Sequence, residues 1–167
     1  HKIYHQVHGL LTTSLRLINT YGPRQLMKHN RQGFAGWFVR RVVMGEDILL
    51  FGNGKQKRDF NYVDDVVKAF LIAATAEVAV GETYNLGAKP PTTLKDFLEL
   101  LYEVAGRKPN YTLVPFPEER RKIDIGDFYT DYSRIESRLG WSPETSLREG
   151  LSRTVAYYRE NMEHYLS

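Results

Sequence analysis

The segment 52–60 combines residue types that can bind phosphate. It has the sequence GNGKQKRDF, with two glycines followed by three cations within four residues. A P-loop requires G-x-x-x-x-G-K-[ST], and the dinucleotide fingerprint requires G-x-G-x-x-G at the start of a helix. The segment satisfies neither pattern. It is therefore not a phosphate cradle of either class.

Three interpretations of its cations remain. Cations with aromatic neighbours could contact nucleic acid, but 23 basic against 20 acidic residues give a net charge of only +3, which is weak support for a polyanion partner. For Lys55 and Lys57 we favour a glycine-rich hairpin turn that places both side chains in solvent. Arg58 differs because it directly precedes Asp-Phe and the helix-starting YVDD. On such ordered backbone a planar guanidinium can bind a diphosphate through paired hydrogen bonds.

Other residues with catalytic or ligating chemistry give weaker patterns. His1, His5 and His8 have roughly helical spacing, but no carboxylate lies close in the sequence, so we predict surface residues and no metal site. Neither G-x-S-x-G nor H-E-x-x-H occurs. The acidic pairs at 64–65 and 118–119 fit helix caps and loops better than an acid/base pair.

Composition sets the class of protein. A chain of 167 residues with 42% hydrophobic and 26% charged residues is expected to fold as one domain and to bury roughly two thirds of its unfolded surface. The absence of cysteine excludes disulfides and thiolate metal sites and agrees with a reducing compartment, so we expect a cytoplasmic protein. Apolar runs are far shorter than the ~18 residues that span a bilayer, and no membrane association is expected.

The elements that must position these residues alternate along the chain. Hydrophobic periodicity predicts strands at 11–19, 48–51, 83–86 and 111–114. It predicts helices at 1–8 and 34–44, one starting near Asp64, one at 94–105, and two near the C-terminus. Alternating strands and helices favour an α/β architecture with parallel pairing.

Helix starts and faces are also predicted. Asp64 is expected to N-cap its helix. A threonine is expected to cap the helix that ends before Gly106, and Ser133 and Ser146 each precede a glutamate by three residues, as in a capping box. The predicted buried face of the helix near Asp64 consists of Val66, Val67, Phe70 and Leu71.

Five segments together resemble a known family. They are LRLINTYGPRQ, GNGKQKRDFNYVDDVVKAFLIA, GETYNLG, TTLKDFLELLYEVAG and DYSRIESRLGWSPETSLREGLSRTVAYYR. Their order and spacing are similar to those of the nucleotide-sugar epimerase/dehydratases, which are extended short-chain dehydrogenase/reductases. The resemblance covers nearly the whole chain.

The resemblance implies the C-terminal part of a Rossmann-type NAD(P)-binding fold, with a doubly wound parallel sheet and an interleaved small α/β substrate-binding domain. Residues 1–24 and 62–88 would supply Rossmann-sheet elements, and 25–61 and 89–167 the substrate domain. The family's glycine-rich fingerprint and Tyr-x-x-x-Lys pair precede this region. Tyr4 followed by His8 is no substitute, because the pair needs a cation to lower the pKa of the phenol. We therefore expect no catalysis by this chain alone.

The resemblance also assigns substrate-binding residues. Asn19 would contact the phosphates of a sugar nucleotide, and Leu49 and Phe51 would offer backbone groups and a ring to its base. Arg58 and Arg121 would bind its diphosphate.

Cofactor contacts follow from the same comparison. Leu17 and Ile18 would lie beside the nicotinamide, and Tyr21 and Pro23 would shape the adjacent turn. The cofactor of the complete protein would be NAD or NADP, with none bound tightly by this chain. Two departures, Phe34 in place of an asparagine and Gly126 in place of an arginine, leave the identity of the sugar nucleotide open.

The implied function is the substrate-binding half of an NAD(P)-dependent epimerase, similar to UDP-glucose 4-epimerase, that acts through a 4-keto sugar. Alternatives are a 4,6-dehydratase or decarboxylase of the same family, or a non-catalytic module that binds sugar nucleotides. We expect a nucleotide-diphosphate sugar as partner and no nucleic acid. We also expect a homodimer for the complete protein and self-association of this chain.

Overall fold

Helices alternate with short strands in the computed structural model, which describes residues 1–28, 33–122 and 124–165, apart from the side chains of Arg120 and Arg121. The helices are α1 (Lys2–His8), α2 (Phe34–Met44), α3 (Val63–Thr75), α4 (Leu94–Val104), α5 (Glu118–Arg121), α6 (Ser133–Leu139) and α7 (Leu147–Asn161). The strands are β1 (Ser14–Arg16), β2 (Asn19–Tyr21), β3 (Ile48–Phe51), β4 (Lys57–Arg58), β5 (Phe60–Tyr62), β6 (Thr83–Asn85), β7 (Thr92–Thr93) and β8 (Tyr111–Val114).

The strands form two-stranded ladders, most of them parallel. β1 pairs with β6, β2 with β5 and β3 with β8, all in parallel, whereas β4 pairs with β7 in antiparallel orientation. Parallel neighbours need a crossover connection, and here helices supply it. The predicted α/β architecture with parallel pairing is confirmed.

The strand predicted at 11–19 is wrong in extent. The structure has two short strands there, which pair with different partners. At the start of β2 the N–H of Thr20 donates to the carbonyl of Ile18 at 2.7 Å, a tight local bond. The change of partner places Asn19 opposite Phe60, beside the segment that carries Arg58.

Two hydrophobic clusters form the core. The larger one lies between α2, α4 and α7 and includes Phe60 stacked on Phe97 at a centroid distance of 4.3 Å. The smaller one contains residues of α3, β6 and α6, with Trp141 at its centre. The predicted division into Rossmann-sheet and substrate segments stays a prediction.

Helix starts follow the capping predictions only in part. Thr93 and Ser146 accept the N–H three residues ahead, which confirms both as N-caps. Ser133 does not cap α6: it lies inside the helix, and its N–H donates to the Asp131 carboxylate at 2.9 Å. Asp64 lies in the first turn of α3 and does not cap it. An acidic side chain there still interacts favourably with the helix dipole.

The predicted buried face of α3 is wrong. Of its four residues only Val66 is buried, and the helix instead packs through small residues such as Ala69 and Ala73. Val67, Phe70 and Leu71 are 49%, 50% and 63% exposed. Three large apolar side chains on one helix form an exposed patch of a kind that promotes association.

We expect the 167-residue chain to self-associate through this patch. The double substitution Phe70→Glu and Leu71→Glu should shift the chain towards monomer, because it places charge where apolar surface would be buried. Sedimentation velocity measures the change. Leu113→Glu, at an exposed leucine on β8, is the matched control and should leave the association unchanged. A wild-type chain that sediments as a monomer would contradict the prediction.

Candidate functional site

One cleft collects the described residues that the sequence assigned to substrate binding. Asn19, Leu49, Phe51 and Arg58 all line it, although they come from three different strands, β2, β3 and β4. Its volume of about 650 Å³ lies within the range of small-molecule sites, roughly 300 to 1,000 Å³. The structure therefore brings four of the five predicted substrate residues to one place.

β3 positions the apolar wall of the cleft. Successive side chains of a strand point to opposite faces. Ile48 and Leu50 are accordingly buried and Leu49 is 60% exposed, and all three line the cleft. On the side of Leu49, Phe51 meets Phe116 edge-on, with ring centroids 6.0 Å apart. A flat heterocyclic base fits such a wall of aliphatic and aromatic groups.

α2 supplies the opposite wall, which sequence reasoning did not assign to the site. The sequence predicted a helix at 34–44 and noted Phe34 only as a departure from the family pattern, yet Phe34, Trp37 and Phe38 all line the cleft. Arg41 also lines it, with its guanidinium 4.8 Å from the centroid of the Trp37 ring. Phe116 follows β8 and carried no signal in the sequence.

Arg58 is held in place before any ligand binds. Arg58 is only 9% exposed. Its Nη1 donates to the carbonyls of Lys57 at 2.8 Å and Gly126 at 2.5 Å. A guanidinium has five N–H groups, so the groups on Nε and Nη2 remain for a ligand. A fixed side chain loses less conformational entropy on binding.

Asn19 approaches the same place from β2. Its Nδ2 donates to the backbone carbonyl of Asp59 at 2.9 Å. An amide carries two N–H groups, so one donor remains for a phosphate oxygen. Asn19 and Arg58 thus present donors at the same end of the cleft.

The segment 124–130 covers this end of the cleft. Gln56 donates to the Asp124 carboxylate at 2.8 Å, and the N–H of Lys57 donates to the Asp127 carboxylate at 2.8 Å. The N–H of Phe128 donates to the carbonyl of Lys57 at 3.0 Å. Gly126, noted in the sequence as a departure from the family pattern, contributes the carbonyl that orients Arg58.

The turn at 52–57 differs from the prediction in one respect. Lys55 and Lys57 are exposed, as expected, but the flanking strands do not form a hairpin, because β3 pairs with β8 and β4 with β7. Arg121, the second predicted diphosphate ligand, has a side chain outside the described residues. Its role stays a prediction.

The predicted cofactor residues line smaller cavities next to the cleft. Leu17 and Ile18 line one of about 330 Å³ that shares Asn19 and Phe34 with the cleft. Tyr21 and Pro23 border another of about 240 Å³.

Tyr21 lies almost wholly in the core. Its ring is 2% exposed, its hydroxyl donates to the carbonyl of Leu147 at 3.4 Å, and burial raises its pKa. The Tyr21 ring therefore shapes the turn from within the core.

The described ranges contain neither a cluster of metal ligands nor a helix that could span a membrane. No group of three or more His, Cys, Asp or Glu side chains there could hold a metal ion. Within residues 1–28, 33–122 and 124–165, no helix is long and apolar enough to cross a membrane.

Comparison with known proteins decides the family. Residues 2–87 match the NAD dependent epimerase/dehydratase family. The chain belongs to this family. It is 32% identical over 161 residues to UDP-glucuronate 4-epimerase of Thermodesulfobacterium geofontis. This alignment covers 96% of this chain and 47% of the relative. The resemblance stated from the sequence motifs is thereby confirmed.

Solved structures of family members have the same fold. The crystal structure of UDP-glucose 4-epimerase from Thermotoga maritima with UDP-glucose aligns with a TM-score of 0.86 at 35% identity, over 96% of this chain and 50% of that one. dTDP-glucose 4,6-dehydratase from Streptomyces venezuelae, with NAD bound, aligns with a TM-score of 0.82 at 27% identity, over 98% and 48%. The predicted Rossmann-type fold class is confirmed. The chain spans about half the length of these relatives.

Proposed function

We propose that this chain binds a nucleoside diphosphate sugar in the cleft between α2 and β3. The observation that carries the proposal is the convergence of Asn19, Leu49, Phe51 and Arg58 on one cleft. The apolar wall at Leu49 and Phe51 would receive the base. The donors of Asn19 and Arg58 would receive the diphosphate.

Charge and geometry at Arg58 support this orientation. A hydrogen bond between an ionised donor and a phosphate contributes roughly 1.5 to 3 kcal/mol. Two parallel N–H groups of one guanidinium match the oxygens of a phosphate. Because Nη1 is already fixed by two carbonyls, the remaining edge of Arg58 has a defined direction.

For the complete protein we propose an NAD-dependent nucleotide-sugar epimerase. Leu17 and Ile18 would border a bound NAD, which would supply reversible hydride transfer at the sugar, with a 4-keto sugar as its oxidised form. The cavity at Leu17 and Ile18 is partly apolar and adjoins the cleft, which suits a flat nicotinamide ring next to the sugar. In this chain Leu17 and Ile18 would orient that ring, while Arg58 and Asn19 would hold the distant diphosphate, so that remote binding energy positions the sugar.

Related reactions remain alternatives at this site. A 4,6-dehydratase or decarboxylase of the same family would use the same diphosphate contacts, and a non-catalytic module that binds sugar nucleotides would keep them as well. NADP in place of NAD, a homodimer of the complete protein and a cytoplasmic location stay predictions.

Arg58→Ala tests the site directly. We expect the affinity for UDP-glucose and dTDP-glucose to fall about tenfold or more, because one charge-assisted contact of about 1.5 kcal/mol corresponds to that factor. Isothermal titration calorimetry of the 167-residue chain measures both ligands.

Lys57→Ala is the matched control, since it removes an exposed cation from the neighbouring position of β4. It should bind both ligands like wild type. Equal affinities of wild type and Arg58→Ala would remove Arg58 from the site. Equal losses in both variants would show a general charge effect in place of a specific contact.

A further inference from the structure

The residue next to Arg58 has contacts that reach every segment around the diphosphate end of the cleft. We infer that Asp59 is a positioning residue that keeps the Arg58 guanidinium directed at the ligand. The role given to Arg58 rests on the proposed function, whereas the contacts of Asp59 are independent of it.

Asp59 joins two chain segments through one carboxylate oxygen. The residue is 1% exposed, and its Oδ2 accepts the N–H of Thr130 at 3.0 Å and the N–H of Ala88 at 3.4 Å. Thr130 belongs to the segment 124–130, and Ala88 follows β6. A buried acceptor shared by two backbone donors fixes the relative position of both segments.

Asn61 completes a clamp on the peptide group between Gly87 and Ala88. Its Nδ2 donates to the carbonyl of Gly87 at 2.8 Å, while Asp59 accepts from the N–H of Ala88. Asp59 and Asn61 are two residues apart on extended backbone, so both side chains lie on one face. The two ends of one peptide group are therefore held by adjacent side chains of that face.

Gly87 allows this close approach. A Cβ atom at Gly87 would lie 2.8 Å from the carbonyl oxygen of Thr130 and 3.2 Å from Oδ2 of Asp59. A side chain would push the three segments apart. Gly87 therefore acts here through close approach, since the structure gives it no positive φ.

The contacts of Asp59 extend to the Arg58 guanidinium through the segment 124–130. Thr130, held by Asp59, lies two residues after Phe128, whose N–H donates to the carbonyl of Lys57. The same segment presents the Gly126 carbonyl that accepts from Nη1 of Arg58. Loss of the Asp59 carboxylate would release Thr130 and with it the support behind the guanidinium.

The Asp59 carboxylate is desolvated by burial, so Asp59→Asn and Asp59→Ala should have different effects. Desolvation raises the pKa of Asp59, while the N–H groups of Thr130 and Ala88 and the charge of Arg58 act in the opposite direction. In Asp59→Asn the amide oxygen can occupy the place of Oδ2 and accept both N–H groups without a desolvated charge, while the amide nitrogen takes the place of Oδ1, which is buried without a hydrogen-bond partner. In Asp59→Ala both N–H groups lose their acceptor.

The test is a double-mutant cycle in UDP affinity, measured by calorimetry on the 167-residue chain. We expect Asp59→Ala to weaken UDP binding several-fold, and the double variant with Arg58→Ala to bind no more weakly than Arg58→Ala alone, because residues joined by one hydrogen-bond network are coupled. Asp59→Asn should retain wild-type affinity. Asp131→Ala, which removes another carboxylate that accepts a backbone N–H, is the control and should bind UDP like wild type.

Amide hydrogen exchange supplies a readout that needs no ligand. In Asp59→Ala the amides of Ala88, Thr130 and Phe128 should all lose protection, and in Asp59→Asn all three should keep it. Unchanged protection of Phe128 in Asp59→Ala would overturn the inference. Additive losses of UDP affinity in the double-mutant cycle would also overturn it. If UDP binds neither wild type nor variants, the proposed function fails, and hydrogen exchange alone decides the role of Asp59.

Discussion

Trp141→Ala is expected to lower the free energy of unfolding by about 3 to 5 kcal/mol, the range for truncating a large buried aromatic side chain. Trp141 is 2% exposed and packs edge-on against Tyr132 at a centroid distance of 6.0 Å. Its indole N–H also donates to the carbonyl of Asp65 at 2.9 Å, which ties the region after α6 to the first turn of α3. The variant loses apolar contacts, leaves a cavity and removes this bond together.

Trp141→Phe separates these contributions. It keeps a ring in the cluster but leaves the Asp65 carbonyl without the indole donor, so we expect a smaller loss of about 1 to 3 kcal/mol. Urea denaturation followed by circular dichroism measures both variants. Equal losses for alanine and phenylalanine would contradict the claim that ring burial dominates.

Gly150→Ala is expected to destabilise the chain by about 1 to 3 kcal/mol, although alanine is the better helix former. A Cβ at Gly150 would lie 2.9 Å from Cζ of Tyr21, closer still to its hydroxyl oxygen, and 3.0 Å from Cδ2 of Tyr62. Both rings are packed in the core and cannot move aside cheaply. Thermal denaturation measures the loss as a lowered Tm.

Gly36→Ala is the matched control, because it makes the same substitution inside another helix. A Cβ at Gly36 would meet only the end of the Gln25 side chain, at 2.8 Å from Oε1, and that end can rotate away. We expect a Tm at or above that of wild type, since alanine favours the helix. A Tm for Gly150→Ala equal to that of Gly36→Ala would show that Tyr21 can adjust.

Local sequence determined many of the elements. The glycines at 9, 45 and 140 end α1, α2 and α6 in the left-handed conformation, which glycine adopts without strain. The short apolar run at 48–51 predicted β3. Ser146 fixed the start of α7 by accepting the N–H of Glu149 at 3.2 Å. Each of these signals acts within a few residues, so sequence alone contains it.

The face of α3 was decided by tertiary structure. Val67, Phe70 and Leu71 are as apolar as the residues that enter the core, so hydrophobicity alone could not show which side packs. The side of α3 that carries Ala69 and Ala73 packs against the rest of the protein, because small side chains let the helix approach closely. The strand predicted at 11–19 was wrong for a related reason, since its division depends on which distant strand pairs with each half.

The candidate site shows the same division between local and long-range information. Arg58 was proposed from its place after the turn, and Asn19, Leu49 and Phe51 from the family resemblance. Sequence gave no sign of Phe116 or of the Gly126 carbonyl. They reach the cleft through the pairing of β8 with β3 and through the bonds that join the segment 124–130 to Lys57 and Asp59. From the sequence alone came the family, many of the elements and the chemistry of single residues. Tertiary structure alone decided which of them meet, because those contacts join segments far apart in the chain.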